Sequence, residues 1–249
     1  MQQIQHNSNP SSNLGENSPL VSQAKDPAIA LLLKQLFDYK KCTTDIEREK
    51  ELSKFYSGPQ LVRDEWIARF SSQTPSDREI EDFYKNSKTY LYDLTFFEFT
   101  SKQSVNLFCN NLKSTFPAIK KILDYGCGCG RIGLELARRR YDVTLADFPN
   151  DTLAFCQFRI TDEKLASAKT ITLDNLKKHF EKYDIIIAFD LFEHMSKRQF
   201  AAALEFLRTK LSPKGRIIAK IEFGKHNGIH PMHYEFDSDY AKIINKNKI

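Results

Sequence analysis

The stretch from Lys121 to Phe148, KILDYGCGCGRIGLELARRRYDVTLADF, limits the fold of this chain more than any other. Ile122, Leu123 and Asp124 read as a short apolar strand that closes on a carboxylate. Gly126, Gly128 and Gly130 alternate with Tyr125, Cys127 and Cys129, so the backbone can turn tightly and approach a ligand. Over Gly130 to Arg140, Ile132, Leu134, Leu136 and Ala137 give a helix with Arg138, Arg139 and Arg140 at its negative end. Val143 to Ala146 is a second strand with Asp147 at its tip. Strand, glycine turn, helix and acid-tipped strand predict an α/β fold built on a doubly wound, mostly parallel sheet.

This geometry has a chemistry. Free N–H groups at a helix N-terminus favour an anion, and an acid at the end of the second strand can accept both hydroxyls of a ribose. Dinucleotides and S-adenosylmethionine are the two cofactor classes that use the plan. The dinucleotide fingerprint is G-x-G-x-x-G, whereas the third glycine here follows after one residue. Asp124, two residues before the first glycine, suits an amino group and a sulfonium better than a pyrophosphate. The run Asp-x-Gly-x-Gly-x-Gly, with an acid at the end of the second strand, resembles the class I S-adenosylmethionine-dependent methyltransferase family over roughly the second half of the chain.

The resemblance implies a Rossmann-like core and S-adenosyl-L-methionine as cofactor. It places Asp124, Tyr125, Gly126, Cys127 and Gly128 along the methionine part, Asp147 on the ribose and Phe148 beside adenine. Cys127 and Cys129, read alternatively as metal ligands, fit better as small fillers inside the turn. With Cys42, Cys109 and Cys156 they make five cysteines and no even disulfide framework. A reducing, cytoplasmic setting is expected. The start MQQIQHNSN lacks a signal pattern, and no apolar run reaches the ~20 residues of a membrane span.

Residues 1–25, rich in Gln, Asn and Ser, read as a disordered tail. Residues 26–115 read as a helical cap, and 116–249 as the cofactor-binding core. Asp26-Pro27 opens the first helix, and Thr44 with Glu47 caps a second that should stop before Gly58-Pro59. A third helix carries Leu61, Trp66 and Phe70, and a fourth opens near Thr74-Pro75. The aromatic segment Lys88 to Phe99 precedes a helix from Lys102 to Ser114. By resemblance this region folds over the cofactor, which makes Tyr90, Tyr92, Phe96 and Phe97 candidates for substrate-pocket walls. A helix burying its aromatics against the sheet is the competing reading.

Beyond Phe148, helix and strand keep alternating. Asp174 follows a weak third strand, Ala168 to Thr172, and is either near the adenine amino group or an N-cap. YDIIIAFD, Tyr183 to Asp190, is a strand buried on both faces, so Phe189 and Asp190 should line the ligand crevice at its end. Glu193-His194 is a pair that recurs in the family; His194 is a pocket candidate or a hydrogen-bonded structural histidine. Arg216 to Glu222 is the fifth strand, after a turn at Ser212-Pro213-Lys214-Gly215. The family's closing hairpin of strands six and seven is not evident. The sheet is trimmed, the sequence stops early, or a partner such as a second copy in a homodimer supplies those strands.

The tail after the fifth strand holds Glu222, His226, His230 and His233. His230 and His233 are the candidates for a general base that takes a proton from the acceptor, a role worth ~10²–10⁴ in rate. The cluster read as a divalent-metal site, or as loop histidines bonded to backbone and water, competes with that role. H-x-x-H in a loop is too loose to assign zinc, so no metal is assigned. The expected acceptor is a small molecule. An Asn-Pro-Pro-Tyr-like or Pro-Cys run after the fourth strand is lacking, and a net charge of +5 with interleaved acids gives no phosphate-tracking stripe. RNA or protein methylation, or a non-catalytic S-adenosylmethionine-binding partner subunit, are the alternatives.

Overall fold

The computed structural model describes residues 26–71, 74–224 and 230–247. The expected N-terminal tail and His226 lie outside them. Five strands form one parallel sheet: β1 (Lys121–Tyr125), β2 (Asp142–Asp147), β3 (Ala168–Thr172), β4 (Tyr183–Phe189) and β5 (Leu211–Lys220). Their order is β3-β2-β1-β4-β5. The order reverses between β1 and β4, which opens a crevice beyond the carboxyl ends of those two strands.

The strand pleat divides the core between the two faces. Ile122, Val143, Leu145, Ile185 and Ile187 pack with Leu134 and Leu136 on one side. Leu123, Ala146, Ile186 and Ala188 pack with Phe200, Leu204 and Leu207 on the other. Consecutive isoleucines in β4 thus serve opposite faces, which is why that strand is apolar throughout. The helices of the sheet domain are α5 (Gly133–Arg138), α6 (Asp151–Asp162), α7 (Leu173–Lys178), α8 (Lys197–Thr209) and α9 (Ser238–Asn247), numbered after four that precede β1.

Those four are α1 (Pro27–Tyr39), α2 (Asp45–Phe70), α3 (Asp77–Asn86) and α4 (Tyr90–Thr115). The capping box of Thr44 and Glu47 starts α2 as expected. The predicted stop before Gly58-Pro59 is wrong: α2 runs through both residues. Pro59 lacks a donor, but Phe55, Val62, Trp66 and Phe70 are buried on either side of it, each worth about 1.5–3 kcal/mol. Gly58 allows the close crossing, since a Cβ there would fall 2.5 Å from the Tyr92 carbonyl carbon in α4. The fourth predicted helix starts at Ser76, whose capping box with Glu79 outweighs the Thr74-Pro75 signal. The aromatic segment and the helix after it are one continuous element, α4.

A buried ion pair joins these helices to the sheet domain. Arg159 of α6 is 2% exposed and donates to both carboxylate oxygens of Glu98 on α4, each at 2.7 Å. The same guanidinium donates to Gln35 Oε1 on α1 at 3.0 Å and to the Cys129 carbonyl in the glycine turn at 3.1 Å. In β5, Leu211 pairs with Tyr183 but Arg216 pairs with Ile185, so the Ser212–Gly215 turn is a bulge inside the strand rather than a lead into it. Among the described residues no sixth or seventh strand follows.

Candidate active site

The crevice is built first by backbone. Gly126, Gly128 and Gly130 take φ of 75°, 54° and 91°, the left-handed region that suits residues without a Cβ. The turn folds back on two carboxylates. Gly128 N donates to Asp147 Oδ2 and Phe148 N to Asp147 Oδ1, both at 2.7 Å. Gly133 N donates to Asp124 Oδ2 at 2.9 Å. Burial pushes the Asp124 carboxyl up to about 7, against the Gly133 hydrogen bond and the charge of Arg131. Burial likewise lifts Asp147 to about 6 despite its two backbone donors. Two desolvated carboxyls on either side of a glycine turn make a site that favours a cationic, hydroxyl-bearing ligand.

Side chains close the walls. Tyr90, Leu94 and Phe97 line the crevice from one face of α4, at helical spacing. Phe148 flanks it after β2, and Phe189 at the end of β4, where its ring lies 4.7 Å from that of Phe108. Asp190 directly follows β4 with φ of 52° and is held by two cations. Arg131 Nη2 reaches its Oδ2 at 2.6 Å, and Lys220 Nζ its Oδ1 at 2.6 Å. The Arg131 guanidinium also stacks over Phe97 at 4.4 Å. Arg131, Tyr84, Leu94 and Leu191 line the crevice and were not singled out from the sequence. Arg131 directly follows the last turn glycine, and that position was its only signal.

Four sequence candidates sit elsewhere. Tyr92 points to the opposite face of α4, where its hydroxyl donates to Glu51, and Phe96 packs with Phe55 and Phe99. The helical phase of α4 sends them toward α1 and α2, so they are packing residues rather than walls. The Tyr125 side chain is buried on the α8 side of the sheet, and only its backbone belongs to the turn. Asp174 is neither in the crevice nor an N-cap. Thr172 caps α7, and the Asp174 carboxylate is exposed and paired with Lys177 at 3.1 Å, in an adjoining cavity that shares Phe148, Leu191 and His194. All five cysteines are free thiols. Burial raises Cys127 and Cys129 far above the usual thiol range, which suits inert fillers.

The histidines converge from two segments. His194, on a 3-10 turn at Phe192–His194, lines the crevice, and its Nδ1 lies 2.7 Å from the Tyr84 hydroxyl. Burial, then the neighbouring His233, presses its pKa down to about 3, so the imidazole is neutral. His233 meets His194 edge-on at 4.7 Å and stacks on His230 at 4.6 Å. Neither His230 nor His233 is among the residues lining the crevice; both stand behind His194. Burial pushes the adjacent Glu193 up to about 7. Glu193, His194 and His233 each offer a ligand atom, and the three atoms lie within 4.8 Å of one another.

Fold and crevice together define a Rossmann-like domain with a ligand crevice at the switch point of its sheet. Residues 122–215 match the sequence model of a methyltransferase domain. The matched segment is a methyltransferase domain of the class I S-adenosylmethionine-dependent kind. The chain is similar to a protein of Methanobrevibacter smithii named as a cobalt-precorrin-6B C(15)-methyltransferase, 30% identical over 109 residues that cover 43% of this chain and 56% of that one. It is also similar to a ubiquinone biosynthesis O-methyltransferase of Aeromonas salmonicida, 26% identical over 39% of this chain and 41% of the other. The matched segment thus spans about half the length of these relatives or less. Two crystal structures share the fold. One is a magnesium protoporphyrin IX methyltransferase from Synechocystis with bound S-adenosylhomocysteine, at TM-score 0.54 and 19% identity, covering 69% of this chain and 89% of that one. The other is an O-methyltransferase family protein from Burkholderia thailandensis, at TM-score 0.60 and 13% identity, covering 79% and 66%. Among the described residues no helix is long and apolar enough to cross a membrane.

Proposed function

We propose that the crevice binds S-adenosylmethionine and that the chain transfers its methyl group to a small-molecule acceptor. One observation carries the reading: the glycine turn lies between two carboxyls, the buried Asp124 and the half-buried Asp147, each held by backbone N–H groups of the turn and the residues after it. Asp124 takes the ammonium end of the ligand, directly or through water. Gly126 and Gly128 leave room for its chain, Asp147 accepts from the ribose hydroxyls, and Phe148 packs beside adenine. Asp174 and Leu173 border the adjoining cavity on the far side of Phe148.

Bound there, the cofactor supplies an electrophilic methyl on a cationic sulfur; the acceptor atom bonds to that carbon as the carbon–sulfur bond breaks and its electron pair leaves with sulfur. The protein's own task is alignment and exclusion of water. Tyr90, Leu94 and Phe97 roof the crevice, and Arg131 and Lys220 neutralise Asp190 so that its charge does not compete for the cation. Removal of the acceptor's proton falls to the cluster of Glu193, His194 and His233, with His230 stacked behind. In this reading residues 26–115 act as cap and 116–249 as core. The relatives named above act on small molecules by their names, which supports that acceptor class over RNA or protein.

The test is calorimetric titration of the purified chain with S-adenosylmethionine and with S-adenosylhomocysteine, alongside Asp147→Ala. Two hydrogen bonds to a charged acceptor vanish together in the variant, so affinity should fall by roughly 3 kcal/mol or more, over a hundredfold. No binding by the native chain, or unchanged affinity in the variant, refutes the cofactor site. S-adenosylhomocysteine release with the small-molecule fraction of a cell extract supports the acceptor class. Release only with a nuclease-sensitive fraction points to RNA, and binding without turnover to a non-catalytic subunit.

A further inference from the structure

Glu193 presents a problem that the methyl-transfer reading leaves unsolved. The residue is 1% exposed, and its Oε2 is buried with no hydrogen-bond partner among the described residues. Its Oε1 accepts a long hydrogen bond from Glu222 N at 3.4 Å, and the residue's own backbone N–H also hydrogen-bonds the carboxylate. A buried carboxylate oxygen without a partner costs about 1–3 kcal/mol or more, and such atoms persist where something outside the polypeptide satisfies them. The groups facing it are two imidazoles, those of His194 and His233, with ligand atoms within 4.8 Å. They come from separate segments, the turn after β4 and the loop before α9, and meet at one edge of the crevice.

We propose that Glu193, His194 and His233 bind one divalent transition-metal ion, which holds and acidifies a hydroxyl group of the methyl acceptor. The ion site stands on the geometry alone; the role toward the acceptor rests on the methyl-transfer reading above. Metal bonds to nitrogen and carboxylate oxygen are about 2.0–2.2 Å long, so side-chain shifts of about 1 Å close the three atoms on an ion. Two imidazoles and one carboxylate suit Zn²⁺, Co²⁺, Mn²⁺ or Fe²⁺ rather than Ca²⁺ or Mg²⁺, which prefer oxygen throughout. Three protein ligands leave coordination positions open, the mark of a reactive site rather than a structural one.

The surroundings fit. The Tyr84 hydroxyl occupies Nδ1 of His194 at 2.7 Å, as an outer partner fixes the ring of a ligating histidine and leaves the other nitrogen to the ion. The Met232 backbone also hydrogen-bonds this ring, and coordination exchanges that contact for the ion. His233 is held by its stack on His230. His194 is itself a wall of the crevice, so an ion on it meets the acceptor beside the cofactor site. The three side chains then act on the acceptor's proton through the ion rather than as bases themselves: a hydroxyl bound to it gives up its proton to water near neutral pH, and its oxygen becomes the nucleophile. With more than one position open, the acceptor class best held presents two adjacent oxygens.

Metal-stripped, untagged full-length chain is titrated with Co²⁺ alone, followed by visible absorption and calorimetry, without cofactor. One equivalent should bind and be displaced by Zn²⁺. Glu193→Gln and His233→Ala should weaken binding at least ~100-fold, and Tyr84→Phe by ~10–100-fold, with folding checked by circular dichroism. Absence of saturable one-to-one binding, or unchanged affinity in both ligand variants, overturns the site. The same stripped sample is titrated with S-adenosylmethionine. Cofactor binding with no Co²⁺ site removes the ion and spares the methyl-transfer reading, whereas a Co²⁺ site with no cofactor binding upholds the ion and removes its role toward the acceptor.

Discussion

Replacing Glu98 by Gln tests how the helices before β1 are tied to the glycine turn. The change keeps shape and removes the charge facing Arg159, which is 2% exposed and receives both Glu98 oxygens at 2.7 Å. Burial alone would raise the Glu98 carboxyl, but the Arg159 charge and hydrogen bonds outweigh it and hold the group below its ordinary range. Breaking one side of a buried pair leaves an uncompensated charge and costs about 3–5 kcal/mol. For a chain of 249 residues, each kcal/mol moves the melting temperature by about 2–4 °C, so a drop of roughly 6–20 °C is expected in scanning calorimetry. Glu98→Leu combined with Arg159→Met should recover most of that loss, because apolar residues of similar volume replace buried pairs at little cost. Cofactor affinity should fall in Glu98→Gln as well, since the same guanidinium fixes the Cys129 carbonyl inside the turn. A loss under about 1 kcal/mol would mean that the pair is solvated and that the clamp does not hold these helices.

Further outcomes follow from the same structure. Asp124 is raised in the fold to about 7, above its unfolded range near 4, so its contribution to stability is full below about pH 4 and is lost as pH rises through about 7. The neutral His194 pulls the other way below about pH 6.5, so the comparison needed is with Asp124→Asn. Between about pH 5 and 8 the native chain should lose roughly 2.5 kcal/mol more than that variant in urea melts. Equal slopes would place the Asp124 carboxyl in solvent. The cofactor's positive charge should ionise Asp124 and Asp147, so affinity should rise from about pH 5.5 to 8, with proton release seen as buffer-dependent binding heat. Gly58→Ala should destabilise by about 1–3 kcal/mol although alanine favours helix, because the new methyl would lie 2.5 Å from the Tyr92 backbone. An unchanged denaturation midpoint would show that α2 and α4 can part without loss.

The parts that one stretch of chain settles were legible from the residues alone. A glycine at alternate positions, an acid at each of two strand ends and an unbroken apolar run are local signals, and they located β1, the turn, β2 and β4 with Asp124, Asp147, Phe189 and Asp190 at their tips. The helix stop expected at Gly58-Pro59 failed because a weak local penalty was offset by burial against α4, which no window of residues displays. Composition identified the aromatic segment, but the rotational phase of α4 decided that Tyr90 and Phe97 face the crevice while Tyr92 and Phe96 face away. The partnership of Arg131 and Lys220 on Asp190, and the meeting of Glu193, His194 and His233, join residues with no signal in common along the chain. Backbone turns and strand ends are written locally because they depend on neighbouring residues. Clusters of charge and imidazole arise only when the sheet order and the returning loop bring distant segments to the same edge.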